Sequence, residues 1–373
     1  MSRIAFIDVT TTISIGGVQT AVWNLAAALQ QRGHEVTIFG GEGAIPVPAQ
    51  CAGVEVRRYP YRPRERAPRL GGRFQRIVER YSMARHARED VAGGGFDWAV
   101  LTKPFDFFWP RLMPAGVRTR FAYMSGGTSF FAGDRYLAQR IDAWLACSHF
   151  NAWQVHARYK RFPTVIYNGV DGTCFRPLPE KREAMRAELG ITEGEVVFAF
   201  AGRLVGWKGL AIAVKALADP RLSDQPARLL VVGEGPQRGV LQRLAERHGV
   251  AERVIFQGAV AHGRIPAIYA AADVGVFPSI ADEAFGITIA EAMSCGLPVV
   301  ASHVGGIPEV VGNEASCGLL APIGDVGALA GQMAMLAADP VLRSQMGRRA
   351  RARIEAHFTW SASAGRLLAA LGL

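Results

Sequence analysis

The chain has 373 residues, half of them hydrophobic and a fifth charged, which is enough for two globular domains and too apolar for a disordered chain. No apolar run approaches the ~18–20 residues of a membrane-spanning helix, and the start, Met1-Ser-Arg-Ile-Ala-Phe-Ile-Asp8, reads as a first strand and not a signal peptide. The net charge of +10 is concentrated, because Arg57 to Asp90 holds eleven arginines against four acids, +7 in that stretch alone.

In the first half, Ile4–Val9, Val36–Phe39, Val54–Arg57, Trp98–Leu101, Phe121–Met124, Trp144–Ala146 and Thr164–Ile166 read as strands. Helical patterns separate most of them, as in Gln19–Gln31, which Gly33 ends. The basic stretch begins with Pro60, Pro63 and Pro68 and then turns helical. There Arg69, Arg73, Arg76 and Arg80 share one narrow face, beside an apolar stripe of Phe74, Ile77, Val78, Tyr81 and Ala84. Such a helix can lie on an anionic membrane surface, although Arg85 and Arg88 intrude on the apolar side. A helix packed on its own domain with a solvated basic rim fits the same pattern. No recognition motif accompanies the charge, so nucleic acid is not expected as a partner. His149 and His156 fall in a helical pattern and read as structural.

From Asn168 to Glu180, Gly and Pro interrupt every periodicity, and this is the predicted linker. Alternation then restarts with Val196–Ala201, Leu229–Val232, Val254–Phe256, Val274–Phe277 and Pro298–Ala301. Strands alternating with helices in both halves predict an α/β protein of two doubly wound domains. The five cysteines, Cys51, Cys147, Cys174, Cys295 and Cys317, are scattered without a C-x-x-C spacing. Neither a disulfide framework nor a metal site is expected, and the predicted location is a reducing cytoplasm.

Ligands of such sheets bind beyond the carboxyl ends of the strands. Glycines recur at those ends: Gly16 and Gly17, Gly202, Gly233 and Gly235, and Gly258. Each either makes a tight turn or lets backbone approach a ligand. In Gly202-Arg203-Leu-Val-Gly-Trp-Lys208-Gly209, two cations follow a strand and precede a helix. A guanidinium fork and a lysine point charge there suit a diphosphate, though a pair of solvated surface cations fits as well. In Glu283-Ala-Phe-Gly286-Ile-Thr-Ile-Ala-Glu291, a helix is predicted to start near Gly286 and end before Gly296. Its free N–H groups and positive end suit phosphate. The glutamates on either side can accept hydrogen bonds from the hydroxyls of a ribose and a hexose. Ordinary helix charge explains them too.

The pattern Glu283, Phe285-Gly286, Glu291-Ala-Met293 resembles family 4 of the GT-B glycosyltransferases. So do Gly202-Arg203 with Lys208-Gly209, Gly233-Glu234-Gly-Pro236, Phe256-Gln-Gly258, Gly296-Leu-Pro-Val-Val-Ala-Ser302 and Gly305-Gly-Ile-Pro-Glu309. Asn168-Gly-Val-Asp171, Gly16-Gly-Val-Gln19 and the late Phe358-Thr-Trp360 complete a set in family order along nearly the whole chain. The resemblance implies two Rossmann-like domains facing across a cleft, an acceptor-binding one over 1–172 and a nucleotide-sugar-binding one over 173–357. A final helix, 358–373, would pack back on the first.

It also implies roles. Arg203, Lys208 and Glu283 would be the catalytic set, the two cations stabilising departing diphosphate and Glu283 holding sugar hydroxyls. Gly17, Gly202, Glu234, Gly258, Phe285, Gly286, Ile287 and Glu291 would line the donor, with Glu291 on the ribose and Gly258 near the base. The donor would be a UDP- or GDP-sugar, and the anomeric configuration would be retained. No metal or other cofactor would be needed. The acceptor would be a saccharide, lipid-linked or of the lipopolysaccharide or exopolysaccharide type, met at the inner face of a bacterial plasma membrane that the basic helix touches peripherally. The chain departs from the family where many members carry a first-domain histidine facing the donor. The strand ends Leu101-Thr-Lys103-Pro104 and Met124-Ser125-Gly-Gly127 supply none, leaving Lys103, Asp106 and Ser125 as the residues expected on the acceptor side. The same architecture could also serve a nucleotide-sugar epimerase or hydrolase, or a non-catalytic nucleotide-sugar-binding subunit.

Overall fold

Alternate residues of a strand face opposite sides of its sheet, and that alternation organises the first half of the chain. In the computed structural model, which describes residues 1–373, β1 (Arg3–Ile7) sends Ile4 and Phe6 to one core and Ala5 and Ile7 to another. Around it lie α1 (Gly17–Gln31), β2 (Glu35–Gly41), β3 (Glu55–Tyr59), α2 (Gly72–Gly93) and β4 (Trp98–Leu101). The sheet continues through β5 (Arg120–Ser125), β6 (Ala143–Ala146) and the short β7 (Thr164–Val165). All neighbours pair in parallel, in the order β3-β2-β1-β4-β5-β6-β7. β1 stops at Ile7, short of the expected Val9, because the Asp8 carboxylate accepts from the Thr10 N–H at 3.0 Å and its hydroxyl at 2.9 Å, which turns the chain.

One face of this sheet is covered by α1 together with the last helix, Trp360–Leu371. Trp360, Leu367, Leu368 and Leu371 share a core with Leu25 and Leu29, and the Trp98 indole N–H donates to the Leu371 carbonyl at 3.2 Å. α2 lies on the other face through Met83, Ala84, Ala87 and Val91. This corrects the expected stripe, since Phe74 and Tyr81 remain 39% and 45% exposed. It also corrects Arg80, which is buried on the inward side and is no membrane contact. The reason is electrostatic: its guanidinium reaches Asp8 and Asp106 inside the unit. Arg69 and Arg73 are exposed.

The second unit runs from Val170 to Thr359, and the first comprises Met1–Gly169 with Trp360–Leu373. The division therefore falls before Val170, not after 172. Phe358 and Thr359 stay with the second unit, where Phe358 packs on Phe285 and Thr359 bridges to Val170. Here β8 (Val196–Ala201), β9 (Ala227–Val232), β10 (Val254–Gly258), β11 (Val274–Phe277), β12 (Val299–Ser302) and β13 (Gly318–Ala321) form a parallel sheet in the order β10-β9-β8-β11-β12-β13. β13 is not among the strands expected from sequence. No helix in either unit is long and apolar enough to cross a membrane, and all five cysteines are free.

In both sheets the winding direction reverses beside the first strand, between β1 and β4 and between β8 and β11. Ligands of doubly wound sheets bind outside the carboxyl ends at such a point. The last helix is structural for the first unit: Leu367→Ala, at a fully buried position, is expected to cost about 2–5 kcal/mol, read as a lowered midpoint in denaturant unfolding of the whole chain.

Candidate functional site

The loop leaving β8 carries Gly202 and Arg203 and then a single 3-10 turn, Gly206–Lys208. That turn is held against the exit of β11, with the Ile280 N–H donating to the Trp207 carbonyl at 2.9 Å. Gly209 makes the approach possible. Its φ is +69°, and a Cβ there would lie 1.8 Å from the Pro278 carbonyl oxygen, so only glycine fits. Lys208 stands over the Trp207 ring, 4.4 Å from its centroid.

Glu283 arrives from the other side of the same gap. Its loop is seated by Gly305 and Gly306: the Gly306 N–H donates to the Glu283 carbonyl at 2.7 Å, and a Cβ on Gly305 would meet that oxygen at 2.3 Å. With both loops fixed, Lys208 Nζ and Glu283 Oε2 lie 2.5 Å apart. Arg203 is exposed, and while its carbonyl accepts from the Val205 N–H at 3.0 Å, its guanidinium makes no ion pair or hydrogen bond. The structure thus joins Lys208 to Glu283 and leaves Arg203 a free cation on the loop between β8 and Lys208. Gly305 and Gly306 are recognisable in the sequence as part of the family resemblance, but their service to Glu283 depends on a contact across more than twenty residues of chain.

Beyond Glu283, the Phe285 side chain is buried on Phe358, so it offers no side-chain surface to a ligand. Gly286 starts the helix Ile287–Ser294 with φ +96° and no side-chain cap, which leaves the helix with the free N–H groups and positive end that attract phosphate. Ile287 is the first residue of that helix and is half-buried. Glu291, one turn further in, is buried. Its Oε1 lies 2.8 Å from His262 Nε2, and the imidazole packs on Phe175 with ring centroids 5.0 Å apart. The hydrogen bond to Glu291 raises the His262 pKa, while burial raises that of Glu291 and His262 partly offsets it. The sequence reading passes over His262. The available signal is its position just after β10, at a sheet edge already marked by Gly258. At that edge the Glu234 carboxylate pairs with Arg238 and lies over Gly258, 3.2 Å from where a Cβ would stand.

In the first unit, Gly17 is the exposed first residue of α1. Lys103 follows β4 at the winding reversal; its carbonyl accepts from the Asp106 N–H at 3.0 Å, while its ammonium makes no ion pair or hydrogen bond. Asp106 and Ser125, expected on the acceptor side, are instead buried. Asp106 pairs with Arg80, and the Ser125 hydroxyl donates to the Gly127 carbonyl at 3.4 Å. Arg80 also meets Asp8 at 2.9 Å. Burial pushes the Asp106 carboxyl up to about 7, with Arg80 opposing, whereas burial of Asp8 is outweighed by Arg80, the Thr10 N–H and Lys103, which hold it low. His149 packs on Tyr167 and His156 on Trp153 and Phe162. No group of three or more His, Cys, Asp or Glu side chains is placed to hold a metal ion.

Residues 15–173 match the family described as Glycosyltransferase Family 4, and residues 181–353 match Glycosyl transferases group 1. The GDP-mannose-dependent alpha-(1-6)-phosphatidylinositol monomannoside mannosyltransferase of Mycolicibacterium smegmatis is 30% identical over 355 residues, covering 89% of this chain and 88% of that protein. The D-inositol 3-phosphate glycosyltransferase of Segniliparus rotundus is 36% identical over 244 residues, 64% of this chain and 53% of its own length. The chain thus spans about half of that relative. Among solved structures, Anabaena Alr3699/HepE in complex with UDP and glucose superposes with a TM-score of 0.81 at 22% identity, over 100% of both chains.

The His262–Glu291 pair has a pH signature. Both groups hold their protons more tightly in the folded chain than in the unfolded one. The His262 contribution is therefore complete below the ordinary value of 6.5 and is lost as pH rises through the raised folded value. Glu291 acts with the same sign from its ordinary 4.5 upward. Replacing His262 by Gln should flatten the fall in stability that sets in above about pH 6.5, measured as denaturant midpoints. Parallel profiles for the two proteins would count against the pair.

Proposed function

Given that the chain belongs to family 4 of the GT-B glycosyltransferases and is a hexosyltransferase, we propose that its second unit holds a UDP- or GDP-activated hexose, which is transferred with retention of anomeric configuration to a saccharide acceptor. The observation that carries this reading is the Lys208–Glu283 pair at the β8/β11 reversal, with Arg203 unpaired on the adjoining loop. On donor binding the diphosphate takes Lys208 and Arg203, and Glu283 turns to the sugar hydroxyls. Glu291 accepts from the ribose, and the N–H groups at Ile287 face the phosphate. The two cations stabilise the charge that develops as diphosphate leaves, without a resident metal. Either base suits what is known of relatives: the mycobacterial enzyme is named for GDP-mannose, and the Anabaena structure holds UDP.

Lys208→Ala should lower kcat about 100–1,000-fold, the usual effect of deleting one transition-state donor. Glu283→Ala should act mainly through donor positioning, and both variants should keep the wild-type unfolding midpoint. Transfer assays with UDP- and GDP-hexoses read the outcome, and wild-type rates in both variants would falsify the assignment. Rapid donor breakdown without acceptor would instead favour a hydrolase or epimerase.

The acceptor in this reading is lipid-linked, a lipopolysaccharide or exopolysaccharide intermediate at the inner face of a bacterial plasma membrane. Support comes from α2 and the segment before it, where Arg69 and Arg73 stand exposed beside Leu70 and Phe74, 73% and 39% exposed. At ~1 kcal/mol per basic residue near an anionic surface, neutralising both arginines should weaken vesicle binding roughly 30-fold. Flotation with phosphatidylglycerol vesicles tests this on Arg69→Gln/Arg73→Gln, and unchanged binding would rule the contact out.

A further inference from the structure

At the β1/β4 reversal of the first unit lies a cavity of about 250 Å³. Pockets that bury a drug-sized ligand run ~300–1,000 Å³, so this one admits a single polar group of a larger molecule. Its lining includes Arg64, Arg76, Arg80, Lys103 and one acid, Glu79.

These cations are unequally satisfied. Arg80 is spent on Asp8 and Asp106, both behind the lining and both buried. The Arg64 guanidinium has Glu65 and Glu79 at 3.6 Å, and the Glu79 carboxylate also accepts from the Arg64 N–H at 3.2 Å. Arg76 meets only the Phe105 ring, 5.8 Å away. The Lys103 ammonium makes no ion pair or hydrogen bond; burial holds its pKa down, with Asp8 and Asp106 attracting it and Arg80 and Arg76 repelling it. Like charges brought together at the edge of a core are costly unless an opposite charge joins them. Uncharged sugar hydroxyls would not relieve that repulsion. An oxyanion would, with Arg76 offering a planar fork and Lys103 a point charge.

We propose that this cavity binds a phosphate group carried by the acceptor, held by Arg76 and Lys103 with Arg64 at the rim, in the sheet gap of the first unit. The assignment rests on the transferase reading of the chain and specifies the acceptor's chemical class. It also gives the basic stretch a second use: Arg76 belongs to the cavity, while Arg69 and Arg73 lie outside its lining. Phosphate could reach the cavity on a soluble sugar or as a phospholipid headgroup, and both present the same oxygens.

The test uses the full chain and calorimetric titration. Inorganic phosphate and glucose 6-phosphate should bind the wild type, glucose should not, and Arg76→Gln/Lys103→Gln should weaken both phosphates at least tenfold. Lys208→Ala should leave them within twofold, which separates this cavity from the diphosphate site. Arg85→Gln/Arg88→Gln removes the same charge from exposed positions of α2 and should also change nothing. If the double variant fails to fold, Arg76→Gln alone carries the test, since Arg76 is exposed. A second arm compares phosphatidylglycerol with phosphatidylcholine vesicles. Binding that the cavity variant loses and the Arg85/Arg88 control keeps identifies the headgroup source, and the same selectivity with glucose 6-phosphate alone identifies the soluble one. The proposal is overturned if no phosphate binds, if glucose binds as well as its phosphate, or if Lys208→Ala is the variant that loses binding. UDP and GDP titrated into the same proteins report on the donor reading separately. Failure of both nucleotides would sink that reading without touching the phosphate result.

Discussion

A parallel sheet wound outward in both directions from its first strand leaves one gap that its own crossover connections cannot cover. Everything chemical in this chain is arranged around two such gaps. In the second unit the gap lies between β8 and β11, and the loops that leave those strands are pinned to one another before any ligand arrives. The pinning is steric as much as hydrogen-bonded. Gly209 and Gly305 remove the only atoms that would hold the loops apart, and the ionic contact between Lys208 and Glu283 follows from that closeness.

Such a contact has two sides. It keeps both side chains in a single orientation, so that little rotamer freedom remains to be lost when a substrate enters. In the proposed reading, each member exchanges its partner for a piece of the donor, the lysine for phosphate oxygens and the glutamate for hydroxyls. His262 and Glu291 repeat the arrangement a short way along the same edge, where burial raises the pKa of the carboxylate and the imidazole partly offsets it. The second unit is thus a set of charges stored against one another, and the first unit stores Arg80 in the same way but gives Lys103 and Arg76 no ion pair.

The alternation of strands and helices was legible in the sequence, because buried strands read as short apolar runs between glycines. The residues expected on the donor side rest on family resemblance. Spacing alone left Glu283 and Glu291 indistinguishable from helix-end charge, and it was silent on the pairing of Lys208 with a glutamate 75 positions away. Arg80 shows why the rest was hidden. On a helical projection it belongs with Arg69, Arg73 and Arg76, and only the arrival of Asp8 from β1 and Asp106 from beyond β4 turns it inward. Ser125 and Asp106 failed as exposed site residues for the same reason: proximity to a strand's carboxyl end does not say on which side of the loop a side chain lies. His262 escaped notice because an isolated histidine has no pattern, and β13 because Gly318-Leu-Leu-Ala321 is too short to stand out.

The return of the helix Trp360–Leu371 to the first unit has a consequence for how the protein is made. The domain whose first strand leaves the ribosome before the second unit takes part of its core from residues synthesised after that unit. At ~5–20 residues per second, translation of the intervening second unit occupies on the order of 10–40 s. Throughout that interval the face of the first sheet meant for Leu367 and Leu371 stays uncovered, while the second unit, contiguous in sequence, can fold as soon as it emerges. The order of completion of the two units is therefore the reverse of the order of synthesis, and the nascent chain must keep an apolar surface soluble until the helix Trp360–Leu371 closes it.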